Sequence, residues 1–184
     1  MLKTIATSVL LVLSMSVQAD NSPSFDYVDI GYNSLDFEFT RLSGGAEFKF
    51  SKTLGESFYL AGDYAETTEG GGRLAVTTFG VGYKFDISPS SVFFSEIDFA
   101  DVHRDHGDGV TNLDGYELTI GIKSQMTKQF VGLIGIEQLN LDHYNDTSLL
   151  IGGTYGFSES FSIYAEGRSL SDSQRYSVGI RYNF

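Results

Sequence analysis

The chain has 184 residues, of which 24 are acidic and 12 basic, giving a formal net charge of −12, and it contains no cysteine. This acidity argues against nucleic acid as a partner, because nucleic acid binds basic surfaces. The absence of cysteine excludes disulfides and thiol chemistry. The chain contains 21 glycines, 15 phenylalanines and 11 tyrosines but only 2 prolines, which favours an all-β protein of one domain.

The first 19 residues have the features of a secretory signal peptide. A positive charge at Lys3 precedes an apolar stretch from Ile5 to Met15, and small residues, ending with Ala19, occupy the positions that a signal peptidase reads. The apolar stretch is shorter than the ~20 residues that a spanning helix needs, so a membrane anchor is less favoured. We therefore expect residues 1–19 to be a signal peptide and the mature chain to begin at Asp20.

Beyond the signal peptide, apolar and polar residues alternate in ten successive runs, which is the pattern of strands with one apolar face. In chain order the runs are FDYVDIGYN, RLSGGAEFKF, SFYLAGDYA, AVTTFGVGYKF, VFFSEIDFA, GYELTIGIK, FVGLIGIEQL, LLIGGTYGF, FSIYAEGR and RYSVGIRYNF. The seventh run is the least regular, because Val131 and Leu133 fall on the same face as Glu137. In the fifth run, Glu96 and Asp98 share the polar face, and Ile97 and Phe99 share the apolar face.

The connectors between the runs also alternate in length. Those after the second, fourth, sixth and eighth runs are short: SKTLGES, DISPSS, SQMTKQ and SES. Those after the odd runs tend to be longer and more polar: NSLDFEFT, ETTEGGG, DVHRDHGDGVTN, DHYNDTS and SLSDSQ. Tight turns at one end and longer loops at the other are typical of up-and-down outer-membrane barrels.

The charges on the polar faces indicate which face points inward. They are nearly balanced although the whole chain is acidic: Asp29, Glu47, Asp63, Glu96, Asp98, Glu117, Glu137 and Glu166 occur with Arg41, Lys49, Lys84, Lys123, Arg168 and Arg181. Balanced charges are expected where they must pair in a water-poor lumen, because an unpaired buried charge is costly. We therefore predict that residues 20–184 form an all-β, up-and-down antiparallel transmembrane β-barrel. Ten strands are predicted, with eight as the alternative, and a soluble periplasmic sandwich is the second interpretation.

The last strand carries the most specific feature of the sequence. Aromatic or apolar residues occupy its alternate positions, Tyr176, Val178, Ile180 and Tyr182, and the chain ends on Phe184. In this pattern the chain resembles the small OmpA- and OmpX-type outer-membrane β-barrels of Gram-negative bacteria, although the best-known small members have eight strands. The resemblance implies export to the outer membrane, contact with its lipids and lipopolysaccharide, and recognition of these five residues by the barrel-assembly machinery.

All three histidines fall in predicted outer loops beside aspartates: His103 and His106 with Asp101, Asp105 and Asp108, and His143 with Asp142 and Asp146. A His–Asp pair can act as a general base. Outer-membrane proteases of the omptin type have such an arrangement at the rim of a ten-stranded barrel, but those barrels are much taller than this chain allows. The spacing also misses the EF-hand pattern. We interpret these residues as hydrophilic loop decoration, with cation binding and catalysis less favoured, and assign no catalytic, cofactor or metal residue.

The sequence thus predicts a non-enzymatic barrel with a structural or surface-interaction role and a lumen filled by paired charges. Open aqueous channels belong to barrels of roughly 16–18 strands, so general porin activity is not expected. A narrow channel for small solutes is the alternative, and a hydrolase at the rim is less favoured. The sequence does not identify an extracellular partner.

Overall fold

The computed structural model describes residues 22–37, 40–41, 44–69, 72–105, 109–142, 144–169 and 173–184. The predicted signal peptide lies outside these residues, as do His106, Asp108 and His143. Within the described ranges, no helix is long and apolar enough to cross a membrane.

Ten long strands follow one another along the chain. They are β1 (Tyr27–Phe37), β2 (Gly45–Leu54), β3 (Phe58–Glu69), β4 (Gly72–Ser88), β5 (Ser91–Asp105), β6 (Val110–Gln125), β7 (Phe130–Leu141), β8 (Tyr144–Gly156), β9 (Phe161–Ser169) and β10 (Ser173–Asn183). A two-residue strand, Thr40–Arg41, extends the β1–β2 hairpin. Each strand pairs antiparallel with the next, and β10 pairs with β1. The predicted closed up-and-down barrel of ten strands, rather than eight, is therefore confirmed.

The closing ladder between β1 and β10 has no register break. It runs from Tyr27 opposite Asn183 to Phe37 opposite Ser173. The backbone N–H of Phe184 donates to the carbonyl oxygen of Asp26 at 3.3 Å, so hydrogen bonding continues to the last residue. The final strand is ordered to its end because it supplies the second edge of the closure.

The alternation in the sequence separates the outer surface of the barrel from its interior. Ile30 is 68% exposed whereas Asp29 beside it is fully buried, and Ile97 and Phe99 point outward while Asp98 is buried. Charged side chains inside and apolar side chains outside are the reverse of a soluble protein and suit a barrel surrounded by lipid. The predicted orientation of the fifth strand is confirmed.

The two ends of the barrel differ. The end that we call the terminal end holds residues 22–26, the C-terminal Phe184 and the connections 55–57, 89–90, 126–129 and 157–160, and we call the opposite end the distal end. Several connectors predicted to be distal loops are largely strand: β4, β5 and β6 have 17, 15 and 16 residues, and His103 lies in β5. The physical reason is an apolar inner surface, where Ala100, Val102 and Leu141 are buried and pack with inward-facing leucine and valine side chains.

The three longest strands, β4, β5 and β6, together with β3, form a sheet at the distal end that we call the distal wall. The last pair between β6 and β7 is Gly115 with Leu141, whereas β6 continues to pair with β5 as far as Val110. The barrel is therefore taller on this side than on the side of β7.

Candidate functional site

Chemistry-bearing side chains of the barrel converge in its lumen, where one side carries a connected set of ion pairs. We call this side the paired wall; it consists of the inward faces of β1, β2, β9 and β10. Arg181 on β10 lies directly opposite Asp29 on β1 in the closing ladder. Its Nε and Nη2 donate to Oδ1 and Oδ2 of Asp29 at 2.8 and 2.7 Å, so a bidentate pair spans the seam of the barrel.

Glu47 on β2 is the centre of the paired wall. It accepts hydrogen bonds from Arg175 at 2.7 Å, from the Tyr164 hydroxyl at 2.8 Å and from the Ser177 hydroxyl at 2.8 Å. The ammonium group of Lys49 lies 3.5 Å from the same carboxylate. A carboxylate held by this many donors is well compensated for the loss of water around it.

The network continues around the barrel to β7. Lys49 donates to Glu166 on β9 at 2.5 Å, and Arg168 donates to Glu137 on β7 at 2.9 Å. Arg168 also lies 3.6 Å from Glu166. These pairs confirm the prediction of charge pairing in the lumen for Asp29, Glu47, Glu137 and Glu166 with Lys49, Arg168 and Arg181.

Sequence reasoning missed one member of the network. Arg175 contacts both Glu47 and Asp63, the latter at 3.4 Å, but it was not among the predicted lumen charges. The signal was available, because Arg175 has the same parity along β10 as Ser177 and Arg181. The side chain of Arg41, which was predicted to face the lumen, lies outside the described part of the chain.

Two tyrosines explain why glycines line the lumen. The buried ring of Tyr164 lies over Gly31 and Gly179, and a Cβ added at Gly31 would come within 2.2 Å of the tyrosine hydroxyl. In the same way, a Cβ at Gly82 would lie 2.0 Å from Cζ of Tyr59. Glycine at these positions gives the rings the space that a narrow barrel otherwise lacks.

The inward faces of β5 and β6 form a contrasting surface, which we call the acidic wall. It carries Glu96, Asp98 and Glu117, and among the described residues no lysine or arginine nitrogen lies within 4.0 Å of these carboxylates. Asp98 is 1% exposed and neither of its carboxylate oxygens has a hydrogen-bond partner there. The prediction that the lumen acids form ion pairs is therefore wrong for these three residues. Lys49 and the arginines of the network lie on the other wall, and Lys123, although it is on β6, contacts the ring of Phe25 instead of these carboxylates.

The two remaining predicted lumen cations lie at the terminal end and contact an aromatic ring. The Nζ atom of Lys123 is 3.9 Å from the ring centroid of Phe25, and that of Lys84 is 5.0 Å from it. Phe25 is 1% exposed and packs on Tyr59 and Phe94, with ring centroids 4.7 and 5.9 Å apart. Phe25 heads the first alternating run and shares the inward parity of Asp29, but sequence analysis gave it no role.

A cavity of about 90 Å³ lies between the two walls, lined by residues that include Asp63, Glu96 and Glu117 on one side and Lys49 and Arg168 on the other. One water needs about 10–15 Å³ on this measure, so the cavity has room for several. Among the described residues, buried polar atoms without a hydrogen-bond partner occur at several positions of the lumen: Tyr59 Oη, Asp63 Oδ1, Arg168 Nη1 and Arg175 Nε. Such atoms are normally satisfied by water, and the lumen is therefore suited to hydration rather than to an apolar ligand.

Among the described residues, the structure does not assemble a catalytic dyad around His103. Its Nδ1 lies 2.6 Å from the side-chain oxygen of Asn112 on the neighbouring strand, where an amide cannot act as the carboxylate of a His–Asp pair. In the part of the chain that the structure describes, no group of three or more histidine or acidic side chains could hold a metal ion. His106 and His143 lie outside that part.

Comparison with known proteins supports the fold. No protein-family model matches the sequence, and no curated protein matches it. Among solved structures, the NanC porin matches with a TM-score of 0.59 at 8% identity, over 85% of this chain and all of that one. The KdgM porin in complex with disordered oligogalacturonate matches with a TM-score of 0.51 at 14% identity, over 86% of this chain and 99% of that one. Ail, the attachment invasion locus protein of Yersinia pestis, covers 86% of this chain with 13% identity and a TM-score of 0.43. The chain thus has the fold of a small outer-membrane β-barrel.

Proposed function

We propose that this protein is a non-enzymatic outer-membrane barrel with a structural or surface-interaction role, and that it is not a general porin. The observation that carries the proposal is the filled lumen. The paired wall, the rings of Tyr59 and Tyr164 and the inserted ring of Phe25 occupy the interior, and the cavity between the walls has a volume of only about 90 Å³. A filled lumen is expected of a barrel with a structural role and not of a barrel that contains a wide aqueous channel.

The pattern of the outer surface supports a location in the outer membrane, to which the predicted signal peptide would direct the chain. On β4, β5 and β6, the outward row of Phe79, Phe99 and Tyr116 is followed at the next outward position by Thr77, Asp101 and Asp114. The change from aromatic to polar residues marks the distal edge of the apolar band, as in membrane barrels. In the proposed orientation the terminal end faces the periplasm, and the distal wall projects outward past the lipids and lipopolysaccharide.

The distal wall is the part best suited to contact a partner. Its outer surface is polar: Glu66 accepts from Tyr64 at 2.6 Å and from Arg73 at 2.7 Å, and these hydrogen bonds hold the pKa of Glu66 below its ordinary value. The wall therefore presents a charged and ordered strand surface at neutral pH. A surface role would depend on this wall, whereas a purely structural role would depend on the barrel beneath it.

Two measurements test the proposed function. Purified protein in planar lipid bilayers should show no steady conductance of the size that porins produce, and a stable open state would overturn the proposal. In the bacterium that carries it, loss of the protein should weaken the outer-membrane barrier or a surface contact. A variant in which residues 66–73 and 103–112 are replaced by short turns should restore the first defect but not the second.

The orientation has its own test, because the chain contains no cysteine and a single introduced one is unique. On intact cells, an impermeant thiol reagent should label Gly109→Cys, which lies between β5 and β6. It should not label Glu56→Cys in the turn between β2 and β3. The reverse pattern would mean that the terminal end faces outward.

A narrow channel for small solutes is the second candidate function. It is favoured by the polar cavity, which is lined by residues with buried polar atoms that form no hydrogen bond within the described part of the chain. Small, brief conductance steps carried by inorganic ions, without uptake of sugars, would support this candidate over the purely structural one.

We further propose that the barrel-assembly machinery recognises Tyr176, Val178, Ile180, Tyr182 and Phe184. Phe184 is 53% exposed, so its loss should cost the finished barrel only about 1–3 kcal/mol of apolar burial. Deleting it should lower the amount of protein in the outer membrane, whereas the same variant should still refold from urea into micelles. Normal outer-membrane levels would contradict recognition, and failure to refold in micelles would make Phe184 a stability residue instead.

A further inference from the structure

The segment that precedes β1 lies across the terminal opening of the barrel. At one end, the side chain of Asp26 accepts a hydrogen bond from the backbone N–H of Thr53 on β2 at 2.6 Å. At the other end, the Ser22 hydroxyl donates to Asp86 on β4 at 2.8 Å. Because β4 is three strands away from β1, residues 22–26 extend over the opening instead of following the rim.

Phe25 projects from this segment into the lumen. It is 1% exposed although it lies outside every strand, and Pro23 in the same segment is also buried. The ring packs in a seat formed by Tyr59 on β3 and Phe94 on β5, together with Ala61 and Val92. An aromatic ring that reaches β3 and β5 from the β1 side fills the centre of the opening.

The cations around the seat point toward the ring. Lys123 Nζ lies within 3.9 Å of the ring centroid of Phe25 and also lies over the rings of Tyr27 and Phe94, at 5.1 and 5.5 Å. Within the described ranges, neither Lys123 nor Lys84 forms an ion pair. Their ammonium groups are stabilised by ring faces, so removing Phe25 would leave two cations facing an open entrance.

We propose that residues 22–26 are a plug that closes the lumen at the terminal end, and that withdrawal of Phe25 admits small ions to the charged cavity. The plug is bound by reversible contacts: polar contacts of Ser22 and Asp26 at its two ends and one buried ring between them. Nothing in this arrangement requires the barrel strands to move when the segment leaves. The proposal goes beyond the closed-barrel function, because it identifies which part of the chain closes the entrance.

Thiol labelling tests the plug directly. Ala61 is 8% exposed and packs in the seat of Phe25, so the reaction of Ala61→Cys with a small charged thiol reagent reports access to the seat. Adding Phe25→Ser should accelerate labelling about tenfold or more, because the labelling rate follows the population in which the seat is open. Glu159→Ser is the control, since Glu159 is an exposed residue in a turn at the same end of the barrel, and it should leave the rate unchanged.

Ion flux from vesicles gives the second measurement. Phe25→Ser should raise the flux of small ions relative to the wild-type protein, provided that both show the same heat-dependent mobility on gels. Unchanged labelling and flux in a folded Phe25→Ser variant would overturn the plug. A steady wild-type conductance would instead overturn the closed-barrel function, so the two failures are distinguishable.

A cross-link keeps the proposal testable if Phe25→Ser does not fold. Ser22→Cys combined with Asp86→Cys places two thiols where the hydroxyl and carboxylate now meet. The oxidised protein should be less permeable than the same protein after reduction. Equal flux in the two states would show that the segment does not control the entrance.

Discussion

The two walls of the lumen manage buried charge differently. On the paired wall, Asp29 and Glu47 are fully buried or nearly so, and each is bound by an arginine at 2.7–2.8 Å. On the acidic wall, Asp98 is equally buried but has no hydrogen-bond partner among the described residues. The difference shows that a balanced charge count does not guarantee that each charge is paired. Pairing depends on where along the strands the bases lie, since Lys123 is on β6 of the acidic wall but contacts Phe25 at the terminal end.

The paired wall coincides with the seam of the barrel. β1 and β10 come from opposite ends of the sequence, and the Asp29–Arg181 pair and the Glu47–Arg175 pair connect side chains more than 100 residues apart in the chain. The acidic wall, in contrast, lies between consecutive strands joined by a short connection. These buried ion pairs thus stabilise the closure of the barrel between β1 and β10, two strands that no loop connects.

Removing charge from the paired wall should have the largest effect. Glu47→Gln keeps the size of the side chain but removes the buried carboxylate that Arg175 and Lys49 share, so that Arg175 retains only Asp63 and Lys49 only Glu166. We expect the free energy of unfolding to fall by about 3–5 kcal/mol. Urea unfolding in lipid vesicles measures the change. Glu159→Gln, in an exposed turn, is the control and should change stability by less than about 0.5 kcal/mol. A loss below about 1 kcal/mol for Glu47→Gln would show that the network adds little.

The outer faces of the two walls should respond alike, because both face lipid. Ile97→Arg behind the acidic wall and Ile180→Arg behind the paired wall should each cost about 2–4 kcal/mol near the middle of the bilayer. Equilibrium unfolding in vesicles compares them, with Val110→Arg at the exposed end of the distal wall as the control. If Ile97→Arg folded as well as the wild-type protein, the outward assignment of β5 would be wrong.

Packing on the paired wall can be tested without changing charge. A Cβ at Gly179 would lie 2.4 Å from the carbonyl oxygen of Ile30 and 2.7 Å from the Tyr164 ring, so Gly179→Ala should cost about 1–3 kcal/mol. Gly109→Ala is the control, because a Cβ there meets no atom within 4 Å. Equal free energies of unfolding for the two variants would show that the Tyr164 ring can move away from the closing ladder without a loss of stability.

The smallest effect, with the opposite sign, is expected on the acidic wall. Asp98→Asn removes the capacity to carry a charge at a position without a partner, and it should leave stability unchanged or raise it by about 1 kcal/mol. Asp29→Asn, the same chemical change on the paired wall, should lower stability. A loss of about 2 kcal/mol or more for Asp98→Asn would mean that the carboxylate of Asp98 is stabilised by an interaction other than the contacts described above.

Alternation in the sequence predicted the faces of the strands because side-chain direction in a strand has a period of two. It placed Glu96 and Ile97 on opposite faces and gave ten strands. Parity does not give the depth or the angular position of a side chain, which depend on strand register and tilt. For this reason the sequence could not show that Asp98 lacks a base while Glu47 has two nearby.

The distal wall and Phe25 were missed for other reasons. The stretch around His103 is polar on its outer face and was therefore interpreted as a loop, although Ala100 and Val102 on its inner face are buried. Phe25 lies before the first strand. Alternation gives the side of the strand to which its side chain belongs, but it does not predict that the chain crosses the opening of the barrel there. Both features depend on contacts between elements that are distant in the sequence.

The ladder between β1 and β10 also limits when the barrel can form. Its first pair joins Tyr27 to Asn183, so the chain between them must be complete before the two edges can meet. Closing a loop of this length costs about 4–5 kcal/mol of chain entropy beyond a constant, and contacts this distant slow folding. During synthesis and export every intermediate lacks its second edge and exposes unpaired backbone groups. The time that such a chain spends waiting for its last strand is when it is most exposed to aggregation and proteolysis, and a holding chaperone would protect it most during that interval.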